Sequence, residues 1–199
     1  LWGVQDLAKA RATLAMVRPL EDARFRVIVQ PRGGLDYFSH DLEKAKAQLA
    51  AVTALMDDIE PHDPVSPPVI HVVSYSEGSD LASPEVIDES IRITRQALTE
   101  YRRLRQRGHL DDMARHPDVE ARTTALLDEA RAVLRAIDRT VPDPCSPDGL
   151  YRILRDGYLP LPYLWACRAE FAAATAWQTR VVHGAVRVVD EKGVPMPVA

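Results

Sequence analysis

The chain has 199 residues, enough for one domain with a real hydrophobic core. Apolar residues make up 46% and charged residues 27%, the balance of an ordinary globular protein. A net charge of −4 leaves no basic footprint for nucleic acid, and no apolar run approaches the ~20 residues of a membrane span, so neither partner is expected.

The opening "LWGVQDLAKA" has no basic start, apolar centre or cleavage site, so it does not read as a signal peptide. It also lacks an initiator methionine, and the chain reads as processed or as a piece of something longer. Residues 3–18 place Val4, Leu7, Ala8, Ala12, Leu14 and Ala15 near a helical period. "FRVIVQ" (25–30) reads as a short β-branched strand, broken by "PRGG". A helix follows over 39–59, with Ser39 as its cap and Asp41 and Glu43 suited to its positive N-terminal end. The loop "EPHDPVSPP" leads into a second strand, "VIHVVSYS" (69–76). A long helix over 83–108 has Ser83 as N-cap, Pro84 in its first turn and Gly108 as its stop.

Strands alternating with long helices imply parallel pairing with right-handed crossovers. Both strands are nearly all apolar, as expected where helices cover both faces of a parallel sheet. The second half is different. An amphipathic helix spans 118–138, and the proline-rich "VPDPCSPDG" follows. "LYRILRDGYLPLPYLW" reads as a short helix, a turn at Gly157 and an extended proline-bearing stretch. "EFAAATAWQTRVV" reads as a short helix, and "AVRVVDEKGVPMPV" (185–198) as a hairpin turning at Lys192-Gly193. The working division is residues 1–110 as β/α units and 111–199 as a C-terminal extension.

Two βα units do not make a stable sheet. A closed (β/α)8 barrel takes around 250 residues, and a doubly wound sheet roughly five or six strands. Either weaker strands lie elsewhere in the chain, or a second copy, another segment or another chain completes the body.

In α/β folds, sites sit at the carboxyl ends of parallel strands. That rule selects Gln30, Pro31, Arg32, Gly33 and Gly34 after the first strand, and Ser74, Tyr75, Ser76, Glu77 and Gly78 after the second. Gly33-Gly34 would admit a ligand close to the backbone. Gln30 can hydrogen-bond in two directions, Arg32 can grip a carboxylate or phosphate, and Glu77 can accept from ribose hydroxyls. The plainer alternative is an ordinary glycine loop, a solvated Arg32 and a Glu77 that merely precedes a helix.

His71 lies inside an apolar strand and reads as a core histidine; the other five histidines show no metal spacing. Cys145 and Cys167 form neither a disulfide framework nor a metal pattern, and read as reduced thiols of a cytoplasmic protein. No GxSxG, P-loop or GxGxxG occurs, nor the DxHxxG expected where histidine holds a cobalamin tail. "YRRLRQRGH" (101–109) reads as a solvated helix end, and "LPYLWACRAEF" (161–171) as packing rather than a pocket wall or partner surface.

Taken in order, "QDLAKARATL", "QPRGG", "VIHVVSYSEG", "IRITRQAL", "EARTTALLDEARAVLRAID", "DGYLPLPY" and "AVRVVDEKGVPMPV" resemble the C-terminal part of the large (epsilon) subunit of methylaspartate mutase, also called glutamate mutase. Their collinearity carries the resemblance, since each alone is weak. It implies the last part of a (β/α)8 TIM-type barrel with a terminal helix, a pocket-covering segment and a hairpin. It also implies an isomerase acting on glutamate or a close small amino acid by radical rearrangement. Adenosylcobalamin would be bound mainly by a partner small subunit, and the strand-end residues Gln30, Arg32, Gly33, Gly34, Ser74, Glu77 and Gly78 would line the cofactor side. The catalytic residues stay unassigned.

The chain departs from the family at these ends. Ser74 stands where the family has a lysine facing the adenosyl group. The family's glutamate is matched by Gly78 without a gap, or by Glu77 with a shift of one. Arg32 replaces an apolar residue and Val29 a histidine, while the family's carboxylate-clamping arginines come from strands outside this chain. A degenerate, non-catalytic assembly module of the same ancestry is the alternative, and an independent α/β enzyme using Gln30, Arg32 and Glu77 a weaker third.

Overall fold

A computed structural model describes residues 3–111 and 113–197. The chain divides into two compact units, Gly3–Thr123 and residues 124–197. Helix dominates: α1 (Gly3–Val17), α2 (Leu42–Asp57), α3 (Pro84–Gln106), α4 (Pro117–Thr140), α5 (Pro147–Arg155) and α6 (Ala172–Thr175). The regular sheet is a two-stranded antiparallel hairpin, β1 (Thr179–Val182) and β2 (Ala185–Val188). None of the described helices is long and apolar enough to cross a membrane.

In the first unit, α2 supplies the core because Ala45, Leu49, Val52 and Met56 recur at the spacing of one helix face. They bury with Phe38, Val73 and Tyr75, and Ile70, Val86 and Ile93 pack against them. Each large side chain so buried contributes about 1.5–3 kcal/mol. The cap of α2 is Asp41, whose carboxylate accepts from the amides of Glu43 and Lys44. Ser39 is not the cap; its hydroxyl accepts from the amide of Asp41 instead. Ser83 caps α3 through the amide of Val86, Pro84 opens its first turn, and Gly108 follows its end with φ +68°.

The strands expected at 25–30 and 69–76 do not form a regular ladder. One isolated parallel bridge pairs His71 with Arg32, two residues past the end of the first segment, and the His71 amide donates to the Pro31 carbonyl at 3.1 Å. Burial nevertheless alternates with period two over residues 27–32 and 69–72, and the pattern ends at Val73, which shares the parity of His71 but is buried in the α2 core. Residues 28, 30 and 32 are exposed, 27, 29 and 31 are partly covered, and 69 and 71 alternate with 70 and 72 in the same way. The expectation that both faces are covered fails. Ile70 is among the residues packed on the α2 core, whereas Ile28 on the other face is 70% exposed. The apolar pattern selects an extended backbone, but a ladder also needs neighbouring strands to accept its hydrogen bonds.

In the second unit, Ile137 and Val141 of α4 bury against Ile153 of α5, with Val133 and Tyr158 alongside. Gly157 takes φ +79°, as the turn there requires, and its carbonyl accepts from the indole of Trp177 at 2.9 Å. Three expectations change here. Pro162–Cys167 winds into a 3-10 helix rather than an extended stretch. Thr179–Val182 is a strand rather than the end of a helix. The hairpin turns at His183-Gly184, both with positive φ, and a second turn at residues 190–193 brings Val189 against Pro195 in an antiparallel bridge. Val198 of the expected hairpin lies outside the described residues. Packing does not claim the aromatic run either, for Tyr163 and Trp165 are 77% and 60% exposed.

Candidate functional site

The two strand ends selected from the sequence meet. Were Gly78 to carry a Cβ, that atom would lie 3.2 Å from the Leu35 carbonyl oxygen and 3.4 Å from the Cβ of Phe38. The turn after the second segment therefore rests on the loop after the first, and glycine permits the approach. Gly33 is buried, and a Cβ there would sit in ordinary contact at 3.4 Å from Val52 and 3.5 Å from Phe38. Gly34 is open, with no atom within 4 Å of a built Cβ, and its backbone is extended at φ −77°.

Ser74 and Glu77 are committed to their own turn. The Glu77 amide donates to the Ser74 carbonyl at 3.1 Å. The Ser74 amide donates to the Glu77 carboxylate at 3.0 Å. Ser74 is buried, and its hydroxyl lies 3.3 Å from that of Ser76. Gln30 and Arg32 are exposed, and neither side chain has a hydrogen-bond or ion-pair partner among the described residues.

His71 belongs to this end as well. It is no core histidine: it is exposed, and the parallel bridge sets it beside Arg32. Partners in a parallel bridge point their side chains to the same side. One face of the ribbon therefore carries Gln30, Arg32 and His71, with exposed Ile28 and Val69 nearer its start. The signal lay in the alternation within "VIVQPR" and "VIHVV", where one parity collects the polar residues.

Behind the 74–78 turn stands a network invisible to motif reading. The Tyr75 ring is buried, and its hydroxyl donates to Glu89 of α3 at 2.5 Å. Lys46 of α2 pairs with Glu89 at 3.0 Å and Glu43 at 3.1 Å, and lies 5.2 Å from the centre of the Tyr75 ring. The bond to Glu89, with burial, raises the Tyr75 hydroxyl above its usual range. The bonds from Tyr75 and Lys46 hold Glu89 below the usual carboxylate range, and those carboxylates hold Lys46 above the usual range for an amine. Tyr75 thus ties the strand-end turn to both flanking helices.

A second polar cluster lies where the chain enters the other end of the 69–73 segment. Asp57 is buried and accepts from Arg102 at 2.6 Å and Arg105 at 2.7 Å. Asp58 accepts from Arg105 at 2.7 Å and from the Tyr101 hydroxyl. Burial pushes the Asp58 carboxyl up, against the downward pull of Tyr101 and Arg105. A cavity of about 290 Å³ opens beside it, bordered by His62, Asp63, Arg102, Arg105 and Gln106. Its arginines answer its buried aspartates, so removing any one of these arginines would leave a buried carboxylate short of a partner. Among the described residues, no group of three or more His, Cys, Asp or Glu side chains is placed to hold a metal.

No family model, curated protein or solved structure gives a significant match to this chain.

Proposed function

We propose that the chain is the C-terminal portion of the large subunit of an adenosylcobalamin-dependent carbon-skeleton mutase of the methylaspartate type, its helices α2 and α3 being outer helices of a (β/α)8 barrel. The observation that supports this proposal is the pair of segments 27–32 and 69–72, joined by one parallel bridge and each more covered on one face than on the other. A barrel puts helices outside each strand pair and packs the inner face of every strand against the others, with its site at the carboxyl-end mouth. The polar groups gather toward the carboxyl end of the ribbon, where barrel enzymes keep their sites. In this scheme another segment or chain supplies the remaining strands, and a partner subunit brings the cofactor.

The residues present fit the cofactor only in part. The open backbone at Gly34 and the free amide of Gln30 suit an approaching adenosyl group. The family's lysine has no counterpart, since Ser74 is buried, and Glu77 is engaged by the Ser74 amide. Adenosylcobalamin supplies the radical chemistry when bound. The contribution of this chain is to form one wall of the lumen and to hold the strand-end turn rigid through Tyr75 and Glu89. Electron paramagnetic resonance on a chain extended by its upstream segments, mixed with adenosylcobalamin and the cognate small subunit, tests this. A cob(II)alamin signal on adding glutamate or a close amino acid is expected; its absence with every amino acid tried overturns the assignment.

The engagement of Ser74 and Glu77 also favours a second reading, a non-catalytic assembly module of mutase ancestry. Sedimentation separates it: such a module forms a complex with a copy of itself or with a barrel partner, and a folded monomer that binds neither removes it.

A further inference from the structure

We propose that Arg32 and His71 together hold the carboxylate of a small aliphatic acid on the open face of the ribbon, with its carbon chain running toward Ile28 and Val69. The assignment rests on the proposed function for its place inside a barrel lumen. Its evidence is the register. The parallel bridge makes Arg32 and His71 lateral neighbours on one face, although they are far apart in sequence. Neither side chain is spent on a hydrogen bond or ion pair within the described fold. A guanidinium offers a planar fork that matches a carboxylate, and an imidazole beside it adds a further donor. Two unspent donors side by side on a partly apolar face are costly to enclose unless an anion meets them.

The neighbours narrow the ligand. Side chains two residues apart on one strand face are roughly 7 Å apart. Gln30 lies one such step from Arg32, and Val69 one step from His71, with Ile28 a step beyond Gln30. The face therefore grades from cationic through amide to apolar. A bare phosphate would use only the cationic end. An acid with a short carbon chain would use the cationic and apolar ends together, and an amino or hydroxyl substituent on it would find the Gln30 amide. Because α2 separates the two segments in sequence, the site exists only when both are paired in this register.

The full chain, labelled with 13C in its histidine rings, tests the proposal by titration with acetate, butyrate and inorganic phosphate. The variant His71→Asn assigns the resonance. A saturable shift of the His71 ring with butyrate is expected, with butyrate tighter than acetate by roughly fourfold for each methylene covered. Arg32→Gln should abolish the shift, and Arg32→Lys, which keeps the charge but loses the fork, should weaken binding at least several-fold. Both positions are exposed, and unchanged helical circular dichroism of each variant secures the comparison. Phosphate binding tighter than butyrate, equal binding of acetate and butyrate, no saturable shift, or a shift that survives Arg32→Gln would each overturn it. No cobalamin enters the titration. A missing cob(II)alamin signal with butyrate binding intact therefore condemns the mutase assignment alone, and the converse condemns this site alone.

Discussion

Gly149 shows how narrowly one residue can be constrained. A Cβ there would strike the carbonyl oxygen of Asp143 and lie 2.8 Å from the Cα of Pro144, and both are backbone atoms of the turn before α5. Backbone cannot swing aside as a long side chain can, so Gly149→Ala should destabilise the second unit by about 1–3 kcal/mol. A urea midpoint equal to that of the unsubstituted protein would contradict this. Arg11 is the opposite case, a side chain used to its limit. Its guanidinium donates to the carbonyls of Asp58 at 2.6 Å and of Ile59 and Met113 at 3.2 Å each. It thereby joins α1 to the end of α2 and to the turn before α4. Arg11→Ala strands those carbonyls, and a loss of about 2–3 kcal/mol in the first unit is expected from hydrogen bonds to a charged group. Arg11→Lys should recover only part of it, because a single ammonium lacks the planar fork that reaches carbonyls at Asp58–Ile59 and Met113–Ala114 together.

Among the elements, the helices were readable because their signals are local. Ser83, Pro84 and Gly108 announce both ends of α3, and the spacing of Ala45, Leu49, Val52 and Met56 announces the face of α2. Errors arose where two residues compete for one role. Ser39 and Asp41 both suit an N-cap, but the carboxylate takes the amides of Glu43 and Lys44 and leaves Ser39 to brace Asp41. The hairpin turn was missed because His183 occupies a position that asks for positive φ, where asparagine or glycine is the usual signal. The Tyr75–Glu89 bond is long-range and leaves no sequence motif. It carries a prediction with opposite signs at its two ends. Glu89 is depressed in the folded state, so its contribution is present above the ordinary glutamate value of about 4.3 and is lost as pH falls through the folded value. Tyr75 is raised, so its contribution is present below about 10 and is lost as pH climbs through its folded value. Urea midpoints measured across pH should fall at both extremes. Tyr75→Phe should flatten the alkaline limb, and Glu89→Gln the acid limb. Limbs unchanged in both variants would mean that the bond contributes nothing.

For the whole first unit, the decisive feature is a pair of segments held by a single parallel bridge. "FRVIVQ" and "VIHVV" announce extended backbone because β-branched residues favour it, and a parallel bridge joins Arg32, just past the first, to His71 in the second. Sequence pattern cannot say whether other strands stand beside them, since the same apolar run suits a central strand and an abandoned one. It also left Gln30, Arg32 and His71 in separate categories, because what unites them is register, and register depends on how the segments pair. Amide hydrogen exchange gives this feature a measurable consequence. Within the ribbon, the bond from the His71 amide to the Pro31 carbonyl is the backbone link that joins its segments, while the amide of Val27 donates to the Glu21 side chain. Amides at 28, 30, 70 and 72 should therefore exchange fast in the chain alone, while amides in the middle of α2 exchange slowly, since they lie in a hydrogen-bonded helix packed on the core. Adding the strands that complete the sheet should slow the ribbon amides by at least an order of magnitude and leave the α2 amides nearly unchanged. If the ribbon amides are as protected as α2 without any addition, the sheet is already complete by some other pairing. The open face, and with it both the barrel assignment and the Arg32–His71 site, would then lose its physical basis.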